Sequence, residues 1–170
     1  MKKTILVLLL ALLASNLFAG PFGLEMGMTL EKIKEKCGGK EPKYTGGGHN
    51  YKIEPIKKND IFIEYTAGVH DDLGLFVIFA ETSPFDAEEC KAKLELLALM
   101  LGAYYGKEEA NADDRNAYMW LSSHHEVLKK EKLSGVMLRI VPTGEEKEYI
   151  GLMYVFENFQ KAQETSGGPF

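Results

Sequence analysis

Apolar residues recur three and four apart in two stretches of the chain and alternate, or run together, in several others. The first helical stretch is short. Leu30, Ile33 and Cys37 make one narrow apolar stripe, with Glu31 early and Lys34 and Lys36 late, as the helix dipole favours. Thr29 supplies an N-cap hydroxyl, Met28 and Ile33 a hydrophobic staple, and Gly38 with Gly39 a left-handed stop. A helix this short must dock on something larger to persist in water. The second stretch is long. Ala87, Cys90, Leu94, Leu97 and Leu101 form a continuous stripe, widened by Leu96, Leu99, Met100 and Ala103. Asp86 with Glu89 marks its start, after Pro84 has ended the preceding strand.

Strand patterns fill the rest. Tyr51–Glu54 is strand-like, and Ile61, Ile63 and Tyr65 alternate with Phe62, Glu64 and Thr66, giving a strand with one apolar face. Gly68–Asp72 reads as a turn. Leu73–Glu81 is apolar on both faces and so reads as a central, covered strand paired with its predecessor in a hairpin. Tyr105–Arg115 reads as a loop, Ala117–Leu121 as a strand, and Ser122–Lys132 as a short helix with a strand as the alternative. Gly135–Val141 and Glu148–Phe156 make a second hairpin, and Phe156, Phe159 and Ala162 a short closing helix. The fold class is α+β: an antiparallel sheet of about five to six strands, with a short N-terminal helix and one long central helix packed on it. The order suggests two similar α+β halves, or one sheet with helices on one face.

The N-terminus places this body. Lys2 and Lys3 precede the apolar run Ile5–Leu13, and Leu17-Phe18-Ala19 precede Gly20, the pattern of a secretory signal cut between Ala19 and Gly20. The alternative is an uncleaved anchor, but the run is short against the roughly 20 residues of a membrane span. The expected organisation is a signal over residues 1–19, a single domain over 20–164 and a loose tail over 165–170. No membrane span follows the signal, and the location is periplasmic or secreted. Without residues 1–19 the chain carries 18 basic and 25 acidic residues, a balance of −7. That argues against nucleic acid and gives no electrostatic reason to expect an anionic membrane. Cys37 and Cys90 are the whole cysteine complement, and in an oxidising compartment they are expected to form one disulfide. Two buried free thiols are the alternative.

Candidate chemistry is sparse. The histidines are His49, His70, His124 and His125. Adjacent His124 and His125 are expected to point apart. A metal module using His70 with Asp71 or Asp72 competes with solvated turn residues. Ser122-Ser123-His124 places hydroxyl beside imidazole, yet no orienting acid or oxyanion donor can be named for it. Glu88-Glu89 and Glu108-Glu109 read as solvent-facing pairs, Trp120 with Tyr118 as core, and Gly46-Gly47-Gly48 as a loop, since it precedes a strand and no helix. No cofactor motif occurs.

The run Phe22-Gly23-Leu24-Glu25-Met26-Gly27-Met28-Thr29, together with Gly74-Leu75, Tyr105-Gly106-Lys107 and Tyr149–Asn158, resembles a group of uncharacterised secreted bacterial proteins. Its Gly-Met-Thr start is also distantly similar to the small outer-membrane assembly lipoproteins and the β-lactamase-inhibitor-like α+β domains. The resemblance implies the fold class and export, and brings no activity with it. The expected function is an exported, non-catalytic binding or interaction domain, whose partner is an envelope or extracellular protein. The alternative is a small secreted or periplasmic hydrolase using Ser122–Glu126, or a metal-binding module.

Overall fold

The computed structural model describes residues 21–46, 48–110, 116–144 and 146–166. A single turn of 3-10 helix, Pro21–Gly23, leads to α1 (Leu30–Lys36) and then to β1 (Lys43–Tyr44), β2 (Asn50–Lys52), β3 (Phe62–His70) and β4 (Gly74–Thr82). The long helix α2 (Ala87–Tyr105) follows, then β5 (Glu109–Ala110), β6 (Ala117–Leu121), α3 (Glu126–Lys130), β7 (Leu133–Pro142), β8 (Glu148–Phe156) and α4 (Phe159–Ser166). All strands lie in one eight-stranded sheet, ordered β1-β2-β3-β4-β8-β7-β6-β5, and every neighbouring pair is antiparallel. The chain thus lays down one four-strand meander, crosses to the far edge through α2, and returns by a second meander that sets β8 beside β4. Two helix-plus-meander halves share one sheet, but the helices are not confined to one face, since α4 packs on the side opposite α1 and α2. The sheet has more strands than the five to six expected because β1 and β5 are only two residues long, too short for an alternation to register.

The caps work as the sequence indicates. Thr29 Oγ1 accepts from Lys32 N–H at 3.4 Å, and Asp86 Oδ1 accepts from Glu89 N–H at 2.9 Å. On the helical face, Ile33, Cys37, Leu94, Leu97, Leu101 and Leu128 pack with Ile78, Ala80, Leu152 and Tyr154 in one core. The stripe of α2 is narrower than expected. Leu96 and Leu99 are exposed at 48% and 62%, while Met100 is buried.

Two strand readings shift. In β3 the buried residue is Phe62, and Ile63 is 67% exposed, the reverse of the simple alternation. A bulge between Phe62 and Glu64 inserts one residue and flips the phase, after which Tyr65 points inward. Gly68 to His70, expected in a turn, belong to β3, so the turn is confined to Asp71–Leu73. At the other end, α4 continues through Ser166, two residues into the stretch read as tail; residues 167–170 lie outside the described residues.

Three motif pieces that are far apart in sequence meet at one backbone junction. Gly27 N–H donates to Leu75 O and Leu75 N–H donates to Met28 O, both at 2.9 Å. Asn158 Nδ2 donates to Leu73 O and Leu75 O, each at 3.1 Å. Gly74 has φ +66°, and a Cβ there would stand 2.3 Å from Gly27 O. Only glycine allows this approach. The same entry segment buries Phe22 at φ 59°, its ring edge-on to Tyr65 at 4.8 Å and Tyr154 at 5.7 Å.

Candidate functional site

The helices leave much of the second sheet face open. Among the described residues only α4 lies on that side, where Phe159 and Ala162 pack on Phe76 and Val77 at one end. Beyond α4 the strand register sets Phe79, Met153, Met137 and Met119 side by side across β4, β8, β7 and β6. All four are partly exposed. The next row is Glu81, Gly151, Arg139 and Ala117. Gly151 leaves a notch between a carboxylate and a guanidinium, and the hollow above it measures about 270 Å³. Burial holds the Glu81 carboxyl above its usual range, with a smaller push from Glu64 and an opposing pull from Lys52. The surface is therefore apolar and deformable, with one charge of each sign at its centre. Methionine suits such a surface because its thioether chain is unbranched and adapts to the shape it meets.

The histidines divide. His70 is buried, and its Nδ1 accepts from Asp72 N–H at 3.1 Å and Leu73 N–H at 3.3 Å, while Nε2 lies 3.0 Å from Thr165 Oγ1. With Nδ1 accepting, the ring proton sits on Nε2, so both nitrogens are spent on the β3–β4 turn and on α4. Asp71 and Asp72 are exposed beside it. His49 stacks obliquely on the same ring, with centroids 5.0 Å apart.

His124 and His125 do not point apart. Nδ1 of His124 and Nε2 of His125 both approach Glu109 Oε1, at 3.6 Å and 3.4 Å. The irregular turn between β6 and α3 releases them from strand or helix geometry. Glu109 Oε2 meanwhile accepts from Leu121 N–H at 2.9 Å, tying β5 to β6. Glu109, read in the sequence as half of a solvent-facing pair, is instead the hub of this cluster. Neither Ser122 nor Ser123 offers its hydroxyl to an imidazole among the described residues, and no group of three or more His, Cys, Asp or Glu there is set to hold a metal ion. Trp120 is fully buried, with Nε1–H donating to Gly106 O at 2.9 Å, so it anchors the core as expected.

A deeper polar cluster joins α2 to the end of α3. Tyr104 Oη donates to Glu131 Oε1 at 2.6 Å, and Tyr105 Oη to Oε2 at 3.2 Å, beside the buried Tyr154. Burial, then the Glu131 carboxylate, pushes the Tyr104 phenol above the ordinary tyrosine range. Burial is also the main cause for Tyr105 and Tyr154. This cluster ties the helical layer together.

The expected disulfide is not formed. Cys37 and Cys90 are both free and buried. The two thiols share no charged neighbour: Glu54 and Lys40 flank Cys37, whereas Glu148, Asp86 and Glu89 flank Cys90. Each fills its own place as a small apolar group, and burial raises the pKa of both. The cleavage pair Ala19 and Gly20 lies outside the described residues, as does Gly47 of the glycine loop. Among the described residues no helix is long and apolar enough to cross a membrane. Comparisons with protein-family models, with curated proteins and with solved structures find no match for this chain.

Proposed function

We propose that the protein is an exported, non-catalytic binding domain that takes up a protein of the cell envelope or its surroundings on the open face of its sheet. The observation that carries this reading is the partly exposed cross-strand row Phe79, Met153, Met137 and Met119, which meets the Phe76, Val77 and Ala162 cluster through Phe79 and Met153 and continues beyond it over Met137 and Met119. Contiguous apolar surface on a folded domain marks an interaction site. Glu81 and Arg139 on either side of Gly151 give the contact a fixed polarity. Kinship with small exported α+β domains that share the Gly27-Met28-Thr29 start belongs to the same proposal. The test is capture of envelope proteins by immobilised wild type and by Met137→Asp/Met153→Asp. A partner retained by the wild type and lost by the variant supports the reading. A partner held equally by both overturns it.

A further inference from the structure

We propose that His70 is an acid-released latch: its uncharged ring fastens α4 over one end of the open sheet face, and protonation of that ring frees the helix. His70 closes β3 and is only 7% exposed. Its Nδ1 accepts from Asp72 N–H at 3.1 Å and from Leu73 N–H at 3.3 Å, so the place where a proton would be taken up is already filled by two donors. Its Nε2–H points the other way, to Thr165 Oγ1 at 3.0 Å in the last turn of α4. A second proton on the ring would turn the accepting nitrogen into another donor, facing two backbone N–H groups. Neither N–H could keep its bond, and the imidazolium would have to leave. The ring is rigid, so leaving the turn also ends the contact with Thr165.

The same turn holds α4 at its other end. Asn158 Nδ2, just ahead of the helix, donates to Leu73 O at 3.1 Å. Leu73 also packs against the small cluster of Phe76, Val77 and Ala162. A rearranged turn therefore loosens both ends of a helix of 8 residues, too short to keep its form undocked. Beneath α4 lie Phe76 and Val77, both buried, with the Phe76 ring 5.9 Å from that of Phe159. They adjoin Phe79 and Met153, so freeing α4 extends the apolar row. That extension regulates partner uptake only if the open face is the binding face, and to that extent it rests on the function proposed above. Other charges do not reverse the sign. His49, from the β1–β2 connection, stacks on His70 at 5.0 Å and would repel it once both rings were charged. Asp71 and Asp72 on the turn, and Lys161 and Glu164 on α4, are exposed, so water screens their effect. The two N–H groups touch the ring directly.

Hydrogen exchange of the whole protein, corrected for the chemical rate at each pH, is followed by mass spectrometry at about pH 7.5 and about pH 5, on either side of the ordinary imidazole range. The amides of α4 lose protection about tenfold or more at the lower pH, while those of α2 keep theirs. His70→Gln removes the titration but keeps an acceptor oxygen, so α4 becomes equally protected at both pH values. His49→Gln leaves the pH response in place. Nitrogen-15 shifts of the wild-type ring need no variant and decide the matter even where His70→Gln fails to fold: His70 carries its proton on Nε2 at about pH 7.5, and its protonation coincides with the loosening of α4. An α4 equally protected at both pH values, loss of α2 protection in step with α4, a pH response that survives His70→Gln, or a ring with its proton on Nδ1 overturns the latch. Each of these leaves the methionine face standing, and a methionine face without a partner leaves the exchange behaviour as stated.

Discussion

Replacing Gly74 with alanine tests the junction that ties the N-terminal segment to the central hairpin. Gly74 holds φ +66°, and the added Cβ would meet the Gly27 carbonyl oxygen at 2.3 Å and its carbon at 2.4 Å. Both are backbone atoms, so no side chain can swing away. The left-handed conformation alone costs an alanine about 1–2 kcal/mol. Moving Gly27 away disturbs its bond to Leu75 O and the adjoining Leu75-to-Met28 bond, each worth about 1 kcal/mol net. The sum is about 3–4 kcal/mol, a large part of the roughly 5–15 kcal/mol that holds a domain together. At about 2–4 °C per kcal/mol for a chain of this size, Tm falls by about 6–16 °C. The control is Gly39→Ala. Gly39 has φ +82° with nothing within 4 Å of its Cβ position, so only the conformational cost of about 1–2 kcal/mol applies. Urea unfolding followed by circular dichroism measures both. Equal midpoints for the two variants would refute the junction argument.

Three further outcomes follow from the core. Thiol titration of the denatured, unreduced protein counts both Cys37 and Cys90; finding neither means that they pair after all. The tyrosine cluster makes stability fall in alkali. The unfolded chain ionises its phenols near pH 10, whereas burial holds Tyr65 up to about 12 and Tyr104, Tyr105 and Tyr154 above the ordinary range. Their folded pKa values are raised, so the contribution is complete below about pH 10 and is lost as pH climbs beyond it. Urea midpoints measured from pH 8 to 11 check this, and a flat profile contradicts it. Trp120→Phe removes the bond to Gly106 O and leaves a carbonyl in need of a partner, at a cost of about 1–3 kcal/mol by the same urea assay. No measurable loss would show that the indole N–H bond contributes nothing.

Local signals in the sequence carried much of the architecture. Thr29 and Asp86 announced their helices because capping depends on residues three apart. The doubly apolar run Leu73–Glu81 announced β4 as central because both of its faces are covered at one end. What was illegible depends on insertions or on distant partners. The bulge at Phe62–Glu64 inverted the expected faces, and no period of two can anticipate an extra residue. Glu109 meets His124 and His125 only because β5 pairs with β6 across residues 109–119. Composition suggested the disulfide, but composition cannot say whether two buried sulfurs share a neighbourhood. The methionine row was invisible for a related reason. Phe79, Met119, Met137 and Met153 come from four strands, and only the register aligns them.

Oxidative footprinting of the protein, alone and in a cell-envelope extract, tests the proposed binding face most directly. Met119, Met137 and Met153 are partly exposed in the free domain and react with the oxidant. With extract present, the account predicts that oxidation of Met137 and Met153 drops severalfold, while Met26, which packs against the helical-side core, keeps its own rate. Unchanged oxidation of Met137 and Met153 in extract would contradict it.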